Sequence, residues 1–248
     1  MPELHDAIAK RDIATFKSLL QAEADVNELS EALEAPLHVA ARAGSFYMVA
    51  ALIAYGAEVN VQDGLGMTPL HCVCGSEARS IVEHLLDRGA DIGRLSCSGA
   101  TVMHSAAAHG QMGVVGMMLD RGVPIDSVDA QGYTPLHYAA RAGHPGVAAL
   151  LMSQGAEVDV RADDGRTPLL AAAAGECGKA VDILVRAGAD VTLRDAEERS
   201  ALELARAAGN TNALEALRFE AWQELGTGAY HSDWVEKIEH DLGYLELE

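Results

Sequence analysis

The stretch Gly132 to His144, GYTPLHYAARAGH, decides how the rest of the chain is read. It opens on a turn glycine, continues with a Thr-Pro pair, runs through Leu and small residues, and ends on another glycine. Threonine suits a helix cap because its hydroxyl can accept a backbone N–H, and proline suits the first turn because it has no N–H to lose there. The apolar positions that follow fit one buried helix face. Shifted by roughly 33 residues, the stretch returns as GATVMHSAAAHG from Gly99, GMTPLHCVC from Gly66 and EAPLHVAARAG from Glu34, then downstream as GRTPLLAAAAG from Gly165 and ERSALELARAAGN from Glu198. Leu4, Leu37, Leu70, Met103, Leu136, Leu169 and Leu202 hold one register, and Gly56, Gly89, Gly122, Gly155 and Gly188 hold another. Each copy predicts a second helix ending in a pair such as Leu85-Leu86, Met118-Leu119 or Leu150-Leu151, stopped by a glycine that tolerates left-handed backbone. The segment after it, for example AEVDVRADDG from Ala156, reads as an extended finger whose Asp and Gly supply turn chemistry.

A fixed period of about 33 residues built on T-P-L-H-x-A is the pattern of ankyrin repeats, and residues 1 to about 217 resemble that family. The resemblance implies an all-α solenoid of seven helix-turn-helix units of about 33 residues with short hairpin finger loops, and a short C-terminal helical extension. The repeat domain is expected over 1–217, with caps at 1–33 and 199–217, followed by an acidic aromatic extension over 218–248. The first unit lacks Thr-Pro, has Glu23 for the usual glycine and carries Lys10, Arg11, Asp12 and Lys17, which suits a terminal pair with one solvated side. Arg199, Glu203, Arg206 and Asn210 give the last unit the same polar character.

Departures from the pattern carry their own expectations. Ser30 and Leu33 replace the Asp and Gly of the usual finger, which predicts a helical or irregular loop there. Glu77 and Glu176 stand where other units have an inter-helix glycine, with Gly75 and Gly175 nearby, so those turns are expected to be reshaped. Gly113 and Gly116 among Met112, Met117 and Met118 predict the weakest interior helix. In the extension, Asp233 and Glu236 frame a capping box for a short amphipathic helix containing Trp234, and the segment is expected to dock on the last repeat.

At 248 residues with 49% apolar but only 4% aromatic side chains, the interior must be mostly Ala, Leu and Val, as close helix pairs require. A formal charge of -19 repels nucleic acid and anionic membranes and leaves a neutral or basic protein surface as the expected partner. Four cysteines without framework spacing, an N-terminus MPELHDAIAK without an apolar core and no window of transmembrane length together predict a cytoplasmic chain, monomeric when unbound.

Catalytic and metal chemistry find little support. His5, His38, His71, His104 and His137 recur once per unit, but packed helices stand about 8–10 Å apart, too far for a shared zinc. Each imidazole is instead expected to bond to a backbone group of an adjacent turn. Cys72 and Cys74 are two apart on a helix and do not face each other. The run AAGECGKA from Ala173 has Ala at both ends where a phosphate loop needs Gly and Ser or Thr. No nucleophile elbow is present, and His231 with Asp233 is the one remaining catalytic pairing considered. No cofactor, no metal and no enzymatic activity are expected.

The resemblance places the binding face on the finger tips and the exposed side of each first helix. Read there, this chain offers Leu65 and Met67, Ser98 and Ala100, Tyr133, Tyr138 and Arg141, then Asp164 and Arg166. Tyr and Arg are the side chains most enriched as interface anchors, and Tyr133, Tyr138, Arg141 and Arg166 are expected to form one patch. Trp222 and Trp234 are a further candidate contact in the extension. The implied role is protein–protein recognition as a scaffold or adaptor, or alternatively as an acidic inhibitor, antitoxin- or immunity-like, that occludes a basic enzyme or toxin.

Overall fold

The computed structural model describes residues 3–217, apart from 74, 76, 77, 176 and 177. The helices run in order α1 (Glu3–Ala9), α2 (Ile13–Gln21), α3 (Pro36–Arg42), α4 (Phe46–Ala54), α5 (Ala78–Asp87), α6 (Val102–Ala108), α7 (Met112–Asp120), α8 (Pro135–Arg141), α9 (Pro145–Ser153), α10 (Pro168–Ala173), α11 (Gly178–Arg186) and α12 (Ala201–Ala207). Residues 211–217 form a further helix, α13. Helices this short are not stable by themselves in water, so burial against neighbours must hold them. First helices stack on first helices, α6 on α8 and α8 on α10, while second helices stack as α5, α7, α9 and α11. The result is a helical solenoid.

Its core is one continuous cluster. Leu37, Met103, Leu136 and Leu169, all in the register read from sequence, are buried, as are Leu52, Leu85, Met118, Leu151 and Leu184 on the second helices. Ala40, Ala107, Ala140 and Ala173 are buried between first helices, where a larger side chain would force the stack apart. Thr134 and Thr167 cap α8 and α10 by accepting from His137 N and Leu170 N, and Ser200 with Glu203 forms a capping box at α12. Among the described residues no helix is long and apolar enough to cross a membrane. The helix expected in the extension, with Trp222 and Trp234, lies outside the described residues.

The fingers turn on one repeated arrangement. Asp63 N donates to Met67 O at 2.9 Å and Asp129 N to Tyr133 O at 3.0 Å, closing each loop. Successive tips are then joined by single backbone bonds: Gly64 N to Ala32 O, Cys97 N to Leu65 O, Ala130 N to Ser98 O, Asp163 N to Gln131 O and Ala196 N to Asp164 O, all between 2.8 and 3.2 Å. Gly66 and Gly165 have positive φ, and a Cβ there would stand 2.6 and 2.7 Å from the amide nitrogen of the next finger. Only glycine lets the tips approach this closely.

The first finger corrects the expectation of a helical or irregular loop. Ser30 N donates to Glu34 O and Leu33 N to Ser30 O, both at 2.9 Å, which is the same turn as in the later fingers. Leu33 takes the left-handed backbone (φ 59°) that glycine takes elsewhere. The reshaping expected at Gly75, which has φ 91°, is present and takes the place of the first helix expected before it. Residues 69–72 make only a turn, with His71 N and Cys72 N both reaching back to Thr68 O.

Candidate functional site

The histidine ladder holds the surface in place. Nε2 of His5, His38, His71, His104 and His137 lies 2.8–3.3 Å from the carbonyl oxygens of Glu34, Met67, Ala100, Tyr133 and Arg166, each at the end of the next finger. On the other side of the ring, Nδ1 of His38, His71, His104 and His137 accepts a backbone N–H three residues earlier, at the start of its own helix or, for His71, of its turn. An Nδ1 that accepts leaves the proton on Nε2, so the ring donates to the finger carbonyl and is neutral. Burial pushes the pKa of His71, His104 and His137 below the ordinary imidazole value. Both nitrogens of these rings are committed to the backbone, as the structural reading requires.

Because His104 and His137 fix the ends of two neighbouring fingers, the side chains at those ends share one surface. The Tyr133 hydroxyl donates to Asp164 Oδ2 at 2.6 Å, and the Tyr138 hydroxyl donates to Asp129 Oδ2 at 2.8 Å. The rings stand edge-on to the ladder, Tyr138 against His104 at 5.2 Å and Tyr133 against His137 at 5.3 Å. Arg141, one turn along α8 from Tyr138, lays its guanidinium over both tyrosines, 5.3 Å from the Tyr138 centroid and 6.0 Å from that of Tyr133. Burial, reinforced by the Asp129 hydrogen bond, pushes the Tyr138 hydroxyl up to about 12, and burial raises Tyr133 as well. Both phenols therefore stay protonated and keep donating at neutral pH.

Arg166 extends the patch. Its guanidinium lies 3.4 Å from Asp164 and 3.9 Å from Asp195, while Arg199 pairs with Asp195 at 2.8 Å. Asp164 thus links Tyr133 to Arg166 and is not a loose rim charge. The structure brings Tyr133, Tyr138, Arg141, Asp164 and Arg166 together. Leu65 and Met67 stand two fingers away: Leu65 is 71% exposed at its tip, and Met67 is half-buried against the core. Ala100 is buried, and the Ser98 hydroxyl is bonded to Ser96. The organising carboxylates Asp129 and Asp195 were not singled out by sequence reasoning. Their turn positions were visible, but their second oxygens, which hold Tyr138 and Arg199, are set by the fold.

Other candidates acquire structural explanations. Cys72 is buried, its thiol pushed up to about 11 by that burial, and so remains protonated and unreactive; Cys74 lies outside the described residues. In the run from Ala173, a Cβ at Gly175 would stand 2.7 Å from Arg141 O and one at Gly178 would stand 2.3 Å from Asn212 Cβ. These glycines permit contact between units. Glu176, Cys177, His231 and Asp233 lie outside the described residues.

Comparisons with known proteins match this geometry. The family model for ankyrin repeats (3 copies) matches residues 4–96, 81–162 and 147–224. The crystal structure of the human ASB11 ankyrin repeat domain is similar at a TM-score of 0.69 and 30% identity, over 86% of this chain and 96% of that one. No curated protein matches the chain.

Proposed function

Because the chain belongs to the ankyrin-repeat family, we propose that it works as a scaffold or adaptor that recognises another protein without covalent chemistry, through the face carrying Tyr133, Tyr138, Arg141, Asp164 and Arg166. Ankyrin repeats are in general protein–protein interaction modules, and the observation that supports this particular face is the clamped arrangement of its anchors. Both tyrosine hydroxyls are already bonded and Arg141 is already stacked. A partner that lands there loses little side-chain entropy, which is the condition for a strong anchor. The fingers beyond it, with exposed Leu65, supply a second contact region. Trp222 and Trp234 remain a further contact in this reading.

The formal charge of -19 supports a partner whose surface is neutral or basic, and it favours a second reading in which the protein inhibits a basic enzyme or toxin. The two readings separate on outcome, since an inhibitor abolishes its partner's activity at equal stoichiometry and an adaptor leaves it intact.

The test is affinity measurement against a partner isolated by crosslinking and mass spectrometry. Truncating a central anchor typically costs at least about 2 kcal/mol, roughly thirtyfold in affinity, and Tyr133→Ala and Tyr138→Ala are expected to show that loss while the thermal unfolding midpoint moves little. Wild-type affinity in both variants places the site elsewhere, with Leu65 and Met67 next.

A further inference from the structure

We propose that Arg141 is a receptor for a carboxylate, so that the segment of the partner seated on this face presents an acidic side chain at its centre. The inference rests on the reading that this face binds protein. Among the described residues Arg141 forms no ion pair, whereas Arg42, Arg166, Arg194 and Arg199 all do. Its guanidinium, among the described residues, rests on the two tyrosine rings. A guanidinium held over aromatic faces keeps its planar N–H edge available, and that edge matches a carboxylate in two-point geometry.

The neighbouring carboxylates do not take this role. Asp129 spends Oδ2 on Tyr138 and Oδ1 on the backbone of Gln131 and Tyr133. Asp164 is divided between the Tyr133 hydroxyl, Arg166 and the Arg166 backbone N–H. The cation is left facing solvent in a protein that is otherwise strongly acidic. Arg141 itself is exposed. At the places on the flanking first helices that correspond to Tyr138 and Arg141 stand Ser105 and Ala108 on one side, Ala171 and Ala174 on the other. Helices α6 and α10 pack directly against α8, so the equivalent positions in both neighbouring units carry side chains too short to reach an acceptor across the stack to Arg141.

A single cation flanked by two occupied carboxylates discriminates between anions. A carboxylate brings one charge and two acceptor oxygens, which Arg141 can match. A phosphate dianion brings a second charge, which Asp129 and Asp164 repel. The partner surface around the acidic side chain can still be neutral or basic, as the net charge favours.

The experiment uses the full chain and a displayed library of random linear peptides as the probe. Binders are sequenced, and the best is synthesised in three forms, with its acidic residue, with the matching amide, and with phosphoserine at that place. We expect the selected peptides to share an Asp or Glu, and the amide form to bind about tenfold or more weakly, the scale of a charge-assisted hydrogen bond. Arg141→Ala should produce the same loss, with no further loss when it is combined with the amide peptide, since both changes remove one interaction. Arg141→Lys keeps the charge without the fork and should recover only part of the affinity. Arg141 is exposed at the end of its helix, and circular dichroism will verify that each variant is folded. Selection of neutral or basic peptides that still depend on Tyr133 and Tyr138 overturns the carboxylate while leaving the face as the binding site. Selected peptides indifferent to both tyrosines, or no selected peptide, overturn both. Tighter binding of the phosphoserine form overturns the choice of anion.

Discussion

Units three and five begin with the same Thr-Pro-Leu-His, GMTPLHCVCGSEA from Gly66 and GYTPLHYAARAGH from Gly132, and they end differently. In unit five the segment forms α8, which runs to Arg141 and turns at Gly143 with φ 71°. In unit three the left-handed glycine comes two positions sooner, at Gly75 with φ 91°, and residues 69–72 remain a turn. The motif therefore fixes where a first helix starts, and the location of the next left-handed residue fixes whether there is room for a helix. The consequence reaches the binding face. Where unit five presents Tyr138 and Arg141, unit three has the buried Cys72 and the bare Gly75, with no side chain to offer a partner at those two positions.

The sharpest way to break this comparison is to remove the ladder histidine from each unit. His137→Ala orphans the Thr134 N–H and the Arg166 carbonyl and should cost about 1–3 kcal/mol, the range for unpaired buried polar groups. His71→Ala should cost less, because its ring lies 3.3 Å from Ala100 O against 3.1 Å for His137 and Arg166 O, and no α-helix depends on it. Urea unfolding of both variants measures the difference, and equal losses would show that the early turn costs unit three nothing.

Acid should weaken the ladder at His71, His104 and His137. The pKa of His71, His104 and His137 is depressed in the folded state by burial, so the unfolded chain binds protons first as pH falls. Their stabilising contribution is complete above about pH 6.5, the unperturbed imidazole value, and is lost below it. The depressed carboxylates Asp12 and Glu34 act lower, below their ordinary values of 3.8 and 4.5, which leaves a window between for the histidines. Melting temperature measured from pH 7.5 to 5.5 should fall, because the added proton enters at Nδ1, where the ring accepts a backbone N–H, and a flat profile would mean that the folded chain does not depress these pKa values.

Glycine substitutions give smaller effects of opposite sign. A Cβ at Gly113 or Gly116 meets nothing within 4 Å, so alanine there should stabilise α7 by up to about 1 kcal/mol each. Gly75→Ala strains a left-handed backbone and should destabilise by a similar amount. Hydrogen exchange adds a last, purely local comparison: amides of 69–73 should exchange faster than those of 135–141, and equal protection would dissolve the distinction between the two units.

The period made the fold legible, because a register of Leu and Gly that never slips leaves few alternatives. Tyr133, Tyr138 and Arg141 were legible for the opposite reason, since nothing in the packing of the repeat requires them. What could not be read was settled between units. Leu33 looked incompatible with a tight finger because its local preference is against positive φ. The bond that Ala32 O accepts from Gly64 N in the next finger, together with its own turn, holds it there. Likewise a turn aspartate such as Asp129 declares its backbone role in sequence, while its grip on Tyr138 depends on a side chain nine residues later folding back over it.

The links between fingers also govern which changes of length the chain can survive. Histidine to carbonyl spans 29 residues at every step from His5 to His137, and the Asn60 to Asp91 link spans 31, as does the one from Asp159 to Asp190. Excision or duplication of one whole period, about 33 residues, within units four to six would rejoin every link to an equivalent partner and leave a shorter or longer array of the same pitch. Removing a few residues fewer would put the histidine before the cut out of phase with the carbonyl after it. Indels in this chain are thus quantised: a complete unit can come or go more easily than half of one.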